Sequence, residues 1–170
     1  MQPLTPESIR SSFVNCSKGD AKRMPVPSAA ALPSASGWEE LDFFGWRDPG
    51  HPQAAWMVVD GEVGAEAGPV GIALKASSAG GAGRKNMCTL CLTTHSASDM
   101  AMLVAPLAGA SGRRGNTVGN YVCADLACSL YVRGLKRPAR AQPHETLSTE
   151  AKVERLRTNL AAFVRRVAAG

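Results

Sequence analysis

Apolar residues follow a strand-like pattern in the middle of this chain. Residues 54–60 and 69–75 are short apolar runs bounded by Gly, Pro and acidic residues, which predicts two paired β-strands. Residues 98–107 and 118–123 are two further apolar runs on either side of a segment rich in Gly and Arg, residues 108–116. This arrangement predicts a second hairpin with a basic tip. An antiparallel sheet is therefore expected in the centre of the chain.

Both ends of the chain have helical signals instead. Thr5-Pro6-Glu7 gives a hydroxyl N-cap, a proline at the first helical position and an acid near the positive helix end, so a short helix is predicted there. Residues 28–37 are small or proline and predict a loop, whereas the aromatic stretch 38–48 is interpreted as a core anchor. The last helix is predicted over residues 148–167. Its apolar face consists of Val153, Leu156, Leu160, Phe163, Val164 and Val167.

Four of the five cysteines form two close pairs. Cys88 and Cys91 are separated by two residues, Cys123 and Cys128 by four, and 31 residues lie between the pairs. A structural zinc ion prefers four ligands, such as cysteine sulfurs, at the corners of a tetrahedron. The first pair has the spacing of a zinc knuckle. The second joins a strand-like run to a helix predicted over 125–133, so the order is that of a treble-clef zinc finger within residues 86–134.

Two other interpretations of the cysteines are less well supported. Two disulfides fit the cysteine count, but residues 1–20 show no secretory signal. A redox Cys-x-x-Cys explains one pair and leaves the other without a role. Cys16 is interpreted as a small, half-buried apolar residue. The expected fold is thus α+β, an antiparallel sheet with N- and C-terminal helices and an embedded treble-clef zinc finger, in a single domain over residues 1–170.

The positive net charge of the chain is concentrated in its C-terminal half. Residues 1–80 carry 6 Lys and Arg against 9 Asp and Glu, whereas residues 81–170 carry 13 against 5. This asymmetry predicts an acidic partner, although a solvated helix face explains part of it. The cations of interest lie around the zinc motif in sequence: Arg84, Lys85, Arg113, Arg114, Arg133, Lys136, Arg137 and Arg140.

No catalytic arrangement is evident in the sequence. The glycine-rich stretch 80–85 resembles a phosphate-binding loop only superficially, because Asn86 stands where Ser or Thr is needed. His51, His95 and His144 have no recognisable catalytic context, so the protein is not expected to be an enzyme. His95 follows the knuckle closely and is expected to contact a zinc-bound sulfur. No apolar run approaches the about 20 residues of a membrane span, and a cytoplasmic location is expected.

The motifs together resemble the elongation-factor-G-binding family, which includes fusidic-acid resistance proteins of Gram-positive bacteria. The resemblance rests on residues 13–23, the strand around Trp46, residues 87–91 and residues 115–128. It covers the family's C-terminal treble-clef domain only, and the helical bundle that precedes this domain in the resistance proteins has no counterpart in the printed sequence. Drug resistance is therefore not expected to follow from the resemblance.

The resemblance implies a small protein that docks on a translational GTPase through its zinc-bearing domain and changes how the factor leaves the ribosome. The protein is expected to be a monomer. It implies a contact surface around the zinc finger, with Leu90, Arg113, Arg114, Thr117 and Tyr121 at the matching positions. Tyr121 has an alternative role, since a tyrosine two residues before a zinc ligand often packs the site.

The basic half of the chain also fits a second hypothesis, an RNA or ribosome binder that uses phosphate contacts. Such binders usually expose aromatic rings for base stacking, and this half has only Tyr121, Tyr131 and Phe163. The protein partner, elongation factor G, is therefore favoured.

Overall fold

A computed structural model of the chain describes residues 1–60, 68–77 and 87–170. In these ranges the α+β class predicted from the sequence is confirmed: one antiparallel sheet of five strands has helices on both faces. The elements are α1 (Pro6–Ser11), α2 (Lys18–Arg23), α3 (Ala35–Glu39), β1 (Phe43–Arg47), β2 (Ala54–Val59), β3 (Val70–Ala76), β4 (Met100–Pro106), α4 (Gly109–Arg113), β5 (Thr117–Cys123), α5 (Cys128–Val132) and α6 (Thr149–Ala168).

Some predicted features lie outside the described residues. They are the glycine-rich stretch 80–85, with Arg84 and Lys85, and most of the loop between β2 and β3.

The strands are ordered along the sheet as they occur in the chain, from β1 to β5, and each pairs antiparallel with the next. β4 and β5 pair over their full lengths, from Met100 opposite Cys123 to Pro106 opposite Thr117. Within the described residues, the register of β3 and β4 pairs Lys75 with Val104 and Ala76 with Leu103, and the amide of Ser77 donates to the carbonyl of Met102. Toward Ala73 of β3 and Pro106 of β4 the two strands separate, and the backbone polar groups that are left unpaired there need other partners.

Residues 12–15 supply those partners. The amide of Val14 donates to the carbonyl of Gly71, and the amide of Gly71 donates to the carbonyl of Ser12. The Asn15 side chain then spans the gap: its Nδ2 donates to the carbonyls of Ala73 and Pro106, each at 3.0 Å, and its Oδ1 accepts from the amide of Ala73 at 2.8 Å. The N-terminal segment is therefore built into the sheet.

Side chains of the strands alternate between two apolar layers, as the period of a strand requires. On one face, Met57 and Ile72 pack with Leu156 and Leu160 of α6 and with all four paired cysteines. On the other face, Trp46, Trp56 and Val58 pack with Ile9 of α1 and Met24 after α2. The aromatic stretch 38–48 anchors the core as predicted: Trp38 and Trp46 are buried, and the rings of Trp46 and Trp56 stack at 5.7 Å.

The C-terminal helix agrees closely with its prediction. Ser148 is the N-cap and accepts from the amide of Ala151. Leu156, Leu160, Phe163, Val164 and Val167 are buried, and Val153 packs partly buried against them.

The helix predicted over residues 125–133 begins later, at Cys128, because Leu126 has a left-handed backbone with φ +57°, which no α-helix accommodates. The predicted loop 28–37 contains a 3₁₀ turn at Ala29–Ala31 and the start of α3.

Two further short helices, α2 and α4, occur where no helix was predicted. Within the described ranges, no helix has both the length and the apolar character needed to cross a membrane.

Candidate metal centre

The four paired cysteines meet at one buried point. Their ligand atoms all lie within 4.8 Å of one another. The Sγ atoms of Cys88 and Cys128 are 3.7 Å apart, those of Cys91 and Cys123 are 3.5 Å apart, and those of Cys123 and Cys128 are 3.6 Å apart. A tetrahedron with zinc–sulfur distances of about 2.3 Å has edges of about 3.8 Å. The sulfur positions thus fit a tetrahedral zinc ion.

The first cysteine pair lies on a tight turn that directs backbone amides toward sulfur. The amides of Leu90 and Cys91 approach Cys88 Sγ at 3.4 and 3.5 Å. Leu92 has φ +60°, which reverses the chain, and the amide of Cys88 then donates to the carbonyl of Thr93 at 2.9 Å. This is the geometry of a zinc knuckle, in which the amides offset part of the thiolate charge.

The second pair connects a strand end to a helix start. Cys123 is the last residue of β5 and Cys128 is the first residue of α5. Between them, Leu126 packs on β1 so closely that a Cβ at Gly45 would lie 2.6 Å from the Leu126 Cβ. A larger residue at position 45 would therefore displace the loop that carries both sulfurs.

Without a cation between them, the four sulfurs do not all ionise together. Hydrogen bonds from Cys123, Cys128 and Cys91 hold the pKa of the Cys88 thiol well below its ordinary value. Hydrogen bonds to Cys123 and Cys88 raise the pKa of Cys128 well above its ordinary value. Four sulfurs at this separation repel one another once ionised, so the full set of thiolates needs a cation between them. Zinc supplies that charge, and four protein sulfurs fill its coordination shell, as in structural sites.

Residues around the sulfurs form an outer shell. His95 is 2% exposed, and its Nε2 lies 3.2 Å from Cys123 Sγ, which confirms the contact predicted for this histidine. The rings of Tyr131 and His95 pack edge to face with their centroids 4.8 Å apart, and the Tyr131 hydroxyl donates to Asp125 at 2.8 Å. Lys136 Nζ also contacts Asp125 at 2.8 Å. Such partners orient metal ligands and help retain the metal. The sequence analysis missed the roles of Tyr131 and Asp125, although their positions beside the second cysteine pair were a signal.

Hydrogen bonds tie the knuckle to the rest of the fold. Both the amide and the hydroxyl of Thr89 donate to the carbonyl of Tyr121, at 2.8 and 3.0 Å. Asn159 of α6 donates to the carbonyl of Leu90 at 2.9 Å, and the Gln142 amide exchanges two 2.8 Å hydrogen bonds with the backbone of Thr94. The metal centre is therefore coupled to β5, to α6 and to the segment between α5 and α6.

One of the candidate cations, Arg133, serves the interior of the protein. Arg133 binds the buried carboxylate of Asp42 through both terminal nitrogens, at 2.5 and 3.0 Å, and Arg157 Nε adds a third bond at 2.9 Å. Lys136 is paired with Asp125. Among the described residues of the candidate set, the exposed cations without an ion-pair partner are Arg113, Arg114, Arg137 and Arg140.

The residues expected to form a contact surface do not lie together. Leu90 is 1% exposed and belongs to the core, so the prediction that its side chain contributes to a surface is wrong. A knuckle residue packed between the sheet and α6 has no access to a partner.

Arg113 ends α4, Arg114 is its C-cap, and Thr117 opens β5; all three are exposed. Cys123 is at the far end of β5, six residues from Thr117, or about 20 Å along a strand. Tyr121 lies between them and is half-buried. The arginine pair and the metal centre therefore occupy opposite ends of the same strand.

A family model described as the FBP C-terminal treble-clef zinc-finger matches residues 8–167 of the chain. No curated protein and no solved structure gives a significant match. The match includes all four cysteines of the cluster, the N-terminal segment built into the sheet and the C-terminal helix.

Proposed function

Because the chain belongs to the FBP C-terminal treble-clef zinc-finger family, we propose that this zinc-binding protein docks on a translational GTPase, elongation factor G, and modulates its interaction with the ribosome. The proposal is supported by the family and by the motifs that resemble elongation-factor-G-binding proteins. A binding role, rather than catalysis, is in keeping with a zinc site whose four positions are filled by sulfur. The proposed place of action is the cytoplasm.

The observation that carries the proposal is the exposed pair Arg113 and Arg114. Both side chains are exposed, and neither has an ion-pair partner among the described residues. Adjacent guanidinium groups repel each other, and an acidic surface relieves that repulsion. Arg113 and Arg114 thus present two adjacent unpaired charges at the connection between β4 and β5.

The connection that carries this pair is held firmly. The amide of Ala108 donates to the carbonyl of Val167 in the last turn of α6 at 2.8 Å. Asn116 donates from its amide to the Ser111 carbonyl and from Nδ2 to the Ser111 hydroxyl. A Cβ at Gly112 would lie 1.8 Å from the Leu107 carbonyl oxygen, so only glycine fits there. A pre-ordered surface loses less conformational entropy on binding.

Zinc has an indirect part in this proposal. The metal lies at the other end of β5 from the arginine pair, and the knuckle donates to the backbone of that strand. Metal binding therefore stabilises the strand that supports the docking residues, and its free energy adds to that of folding.

Calorimetric titration of the zinc-loaded, nuclease-treated chain into purified elongation factor G tests the proposal. The variant Arg113→Glu/Arg114→Glu should bind at least about tenfold more weakly, because reversed charges meet an acidic surface. The variant Arg137→Glu/Arg140→Glu has the same change in net charge at exposed positions elsewhere and is the matched control. Zinc content and melting temperature should stay nearly unchanged in both variants.

The result also separates the two candidate functions. Failure of the wild-type chain to bind the factor, or equal losses in the two variants, contradicts specific docking through this pair. A complex that forms only with RNA, is lost on nuclease treatment and has a salt slope of several charges supports the RNA-binding alternative instead.

A further inference from the structure

A second surface feature lies beside the arginine pair. A groove of about 480 Å³ runs between the N-terminal segment and the connection from β4 to β5. One wall is formed by residues 14–17 and Asp20, and the other includes Pro106, Leu107, Gly112 and Arg113. We call this the N-terminal groove. It brings together one of the motifs behind the family resemblance, residues 13–23, and the connection that leads into another, residues 115–128.

Backbone and side-chain bonds fix the walls of the N-terminal groove relative to each other. Asn15 binds Ala73 on one side and Pro106 on the other, and it is itself buried. The residue before it, Val14, uses its amide to bind Gly71 but leaves its side chain 39% exposed. Val14 is thus one of the few large apolar side chains that the described part of the chain presents to solvent.

Charged residues lie on both walls of the N-terminal groove. Its acid, Asp20, accepts from Ser17 at 2.6 Å and from Arg23 at 2.7 Å, so this carboxylate is already satisfied. Lys18 follows the groove residue Ser17 in sequence and begins α2. It is exposed and has no ion-pair partner among the residues described. Arg113 lines the other wall. The lining of the groove therefore includes one cation, Arg113, and a second cation, Lys18, is adjacent in sequence to the opposite wall.

We propose that the N-terminal groove extends the docking surface of Arg113 and Arg114, and that it receives an acidic segment of the partner that carries an apolar side chain. This inference rests on the proposed function, because it assigns the same partner a second contact. Val14 provides the apolar contact, whereas Lys18 and Arg113 attract the acidic groups on either side. The surface is centred on the end of the sheet away from the metal.

Binding of elongation factor G to a groove variant tests this inference. Val14→Ser/Lys18→Glu removes the apolar contact and reverses one charge. Leu135→Ser/Arg137→Glu makes the same two chemical changes at exposed positions outside the groove. The groove variant should raise Kd at least about tenfold and should reduce the salt dependence of Kd, whereas the control should stay within about threefold of wild type.

Each outcome has a defined meaning. If Arg113→Glu/Arg114→Glu abolishes binding while Val14→Ser/Lys18→Glu binds like wild type, the groove inference is overturned and the proposed function stands. If the wild-type chain does not bind the factor, the proposed function itself fails. The single variant Lys18→Glu, at an exposed helix position, replaces the double variant if the latter loses zinc or melts early, and it should still weaken binding severalfold.

Discussion

The buried carboxylate of Asp42 is predicted to be a major contributor to the stability of this fold. Its side chain is 0% exposed, and it receives hydrogen bonds from Arg133 after α5 and from Arg157 in α6. The amide of Asp42 also donates to the Ser129 hydroxyl at 2.9 Å. Asp42, the residue that precedes β1, thus connects α5 and α6, the two helices that cover the metal-bearing face of the sheet.

The cost of replacing Asp42 with Asn follows from these contacts. Removal of one partner from a buried ion pair costs about 3–5 kcal/mol, because a charge stays behind without compensation. Arg133 is nearly buried, but the Arg157 side chain is 51% exposed and regains water. We therefore expect a loss near the lower end, about 3 kcal/mol. In a protein of this size that corresponds to a fall in melting temperature of about 6–12 °C.

Urea unfolding of the zinc-loaded protein at pH 7 measures this loss. Glu39→Gln removes an equal charge from an exposed position in α3 and should change the unfolding free energy by less than about 0.5 kcal/mol. A loss below about 1 kcal/mol for Asp42→Asn, or equal losses in the two variants, would refute the interpretation of Asp42 as a buried ionic link.

The same carboxylate predicts a dependence on pH. Burial alone would raise the pKa of Asp42, but the hydrogen bonds and charges of Arg133 and Arg157 outweigh burial and lower that pKa. A lowered pKa contributes stability above the unfolded-state value of about 3.9, and that contribution is lost as the pH falls through the folded-state value. The stability difference between Asp42→Asn and Glu39→Gln should therefore shrink below about pH 4. A difference that stays constant to pH 3 would contradict this assignment.

Three further predictions concern the metal centre and the core. Cys123→Ser should lose tightly bound zinc and several kcal/mol of stability, since metal affinity adds to folding free energy; wild-type zinc content by metal analysis would contradict the assignment of this ligand. His95→Phe should fold and bind zinc but release it to a chelator about 10–100 times more readily, because the thiolate of Cys123 loses its outer-shell partner; an unchanged release would show that His95 only fills space. Truncation before Ser148 removes the buried face of α6 and should leave a chain that aggregates or melts early, and a shortened monomer with unchanged melting temperature would disprove the single core.

Local rules were sufficient to predict much of this fold. The N-cap at Ser148 and the apolar period of α6 depend on neighbours within a few residues, and four of the five strands, β2 to β5, were predicted from short apolar runs. The cysteine spacing predicted a metal cluster because knuckles and helix starts are themselves local structures.

Features that depend on distant contacts were not predictable in the same way. Leu90 looked like a surface residue of a knuckle, yet its burial is set by packing against the sheet and α6. Arg133 looked like a free cation until the fold placed Asp42 beside it, 91 positions away in the sequence. The separation of Arg113 from the metal was not apparent in the sequence either, because it follows from which end of β5 each segment occupies.

Native mass spectrometry of an equimolar mixture of this chain and elongation factor G measures docking and metal content together. We expect a 1:1 complex that contains one zinc ion contributed by this chain, and we expect Arg113→Glu/Arg114→Glu to give zinc-loaded protein but little complex. Absence of a complex with the wild-type chain, or equal complex formation by a metal-free chain, would contradict the account of a zinc-ordered module that docks on a translational GTPase.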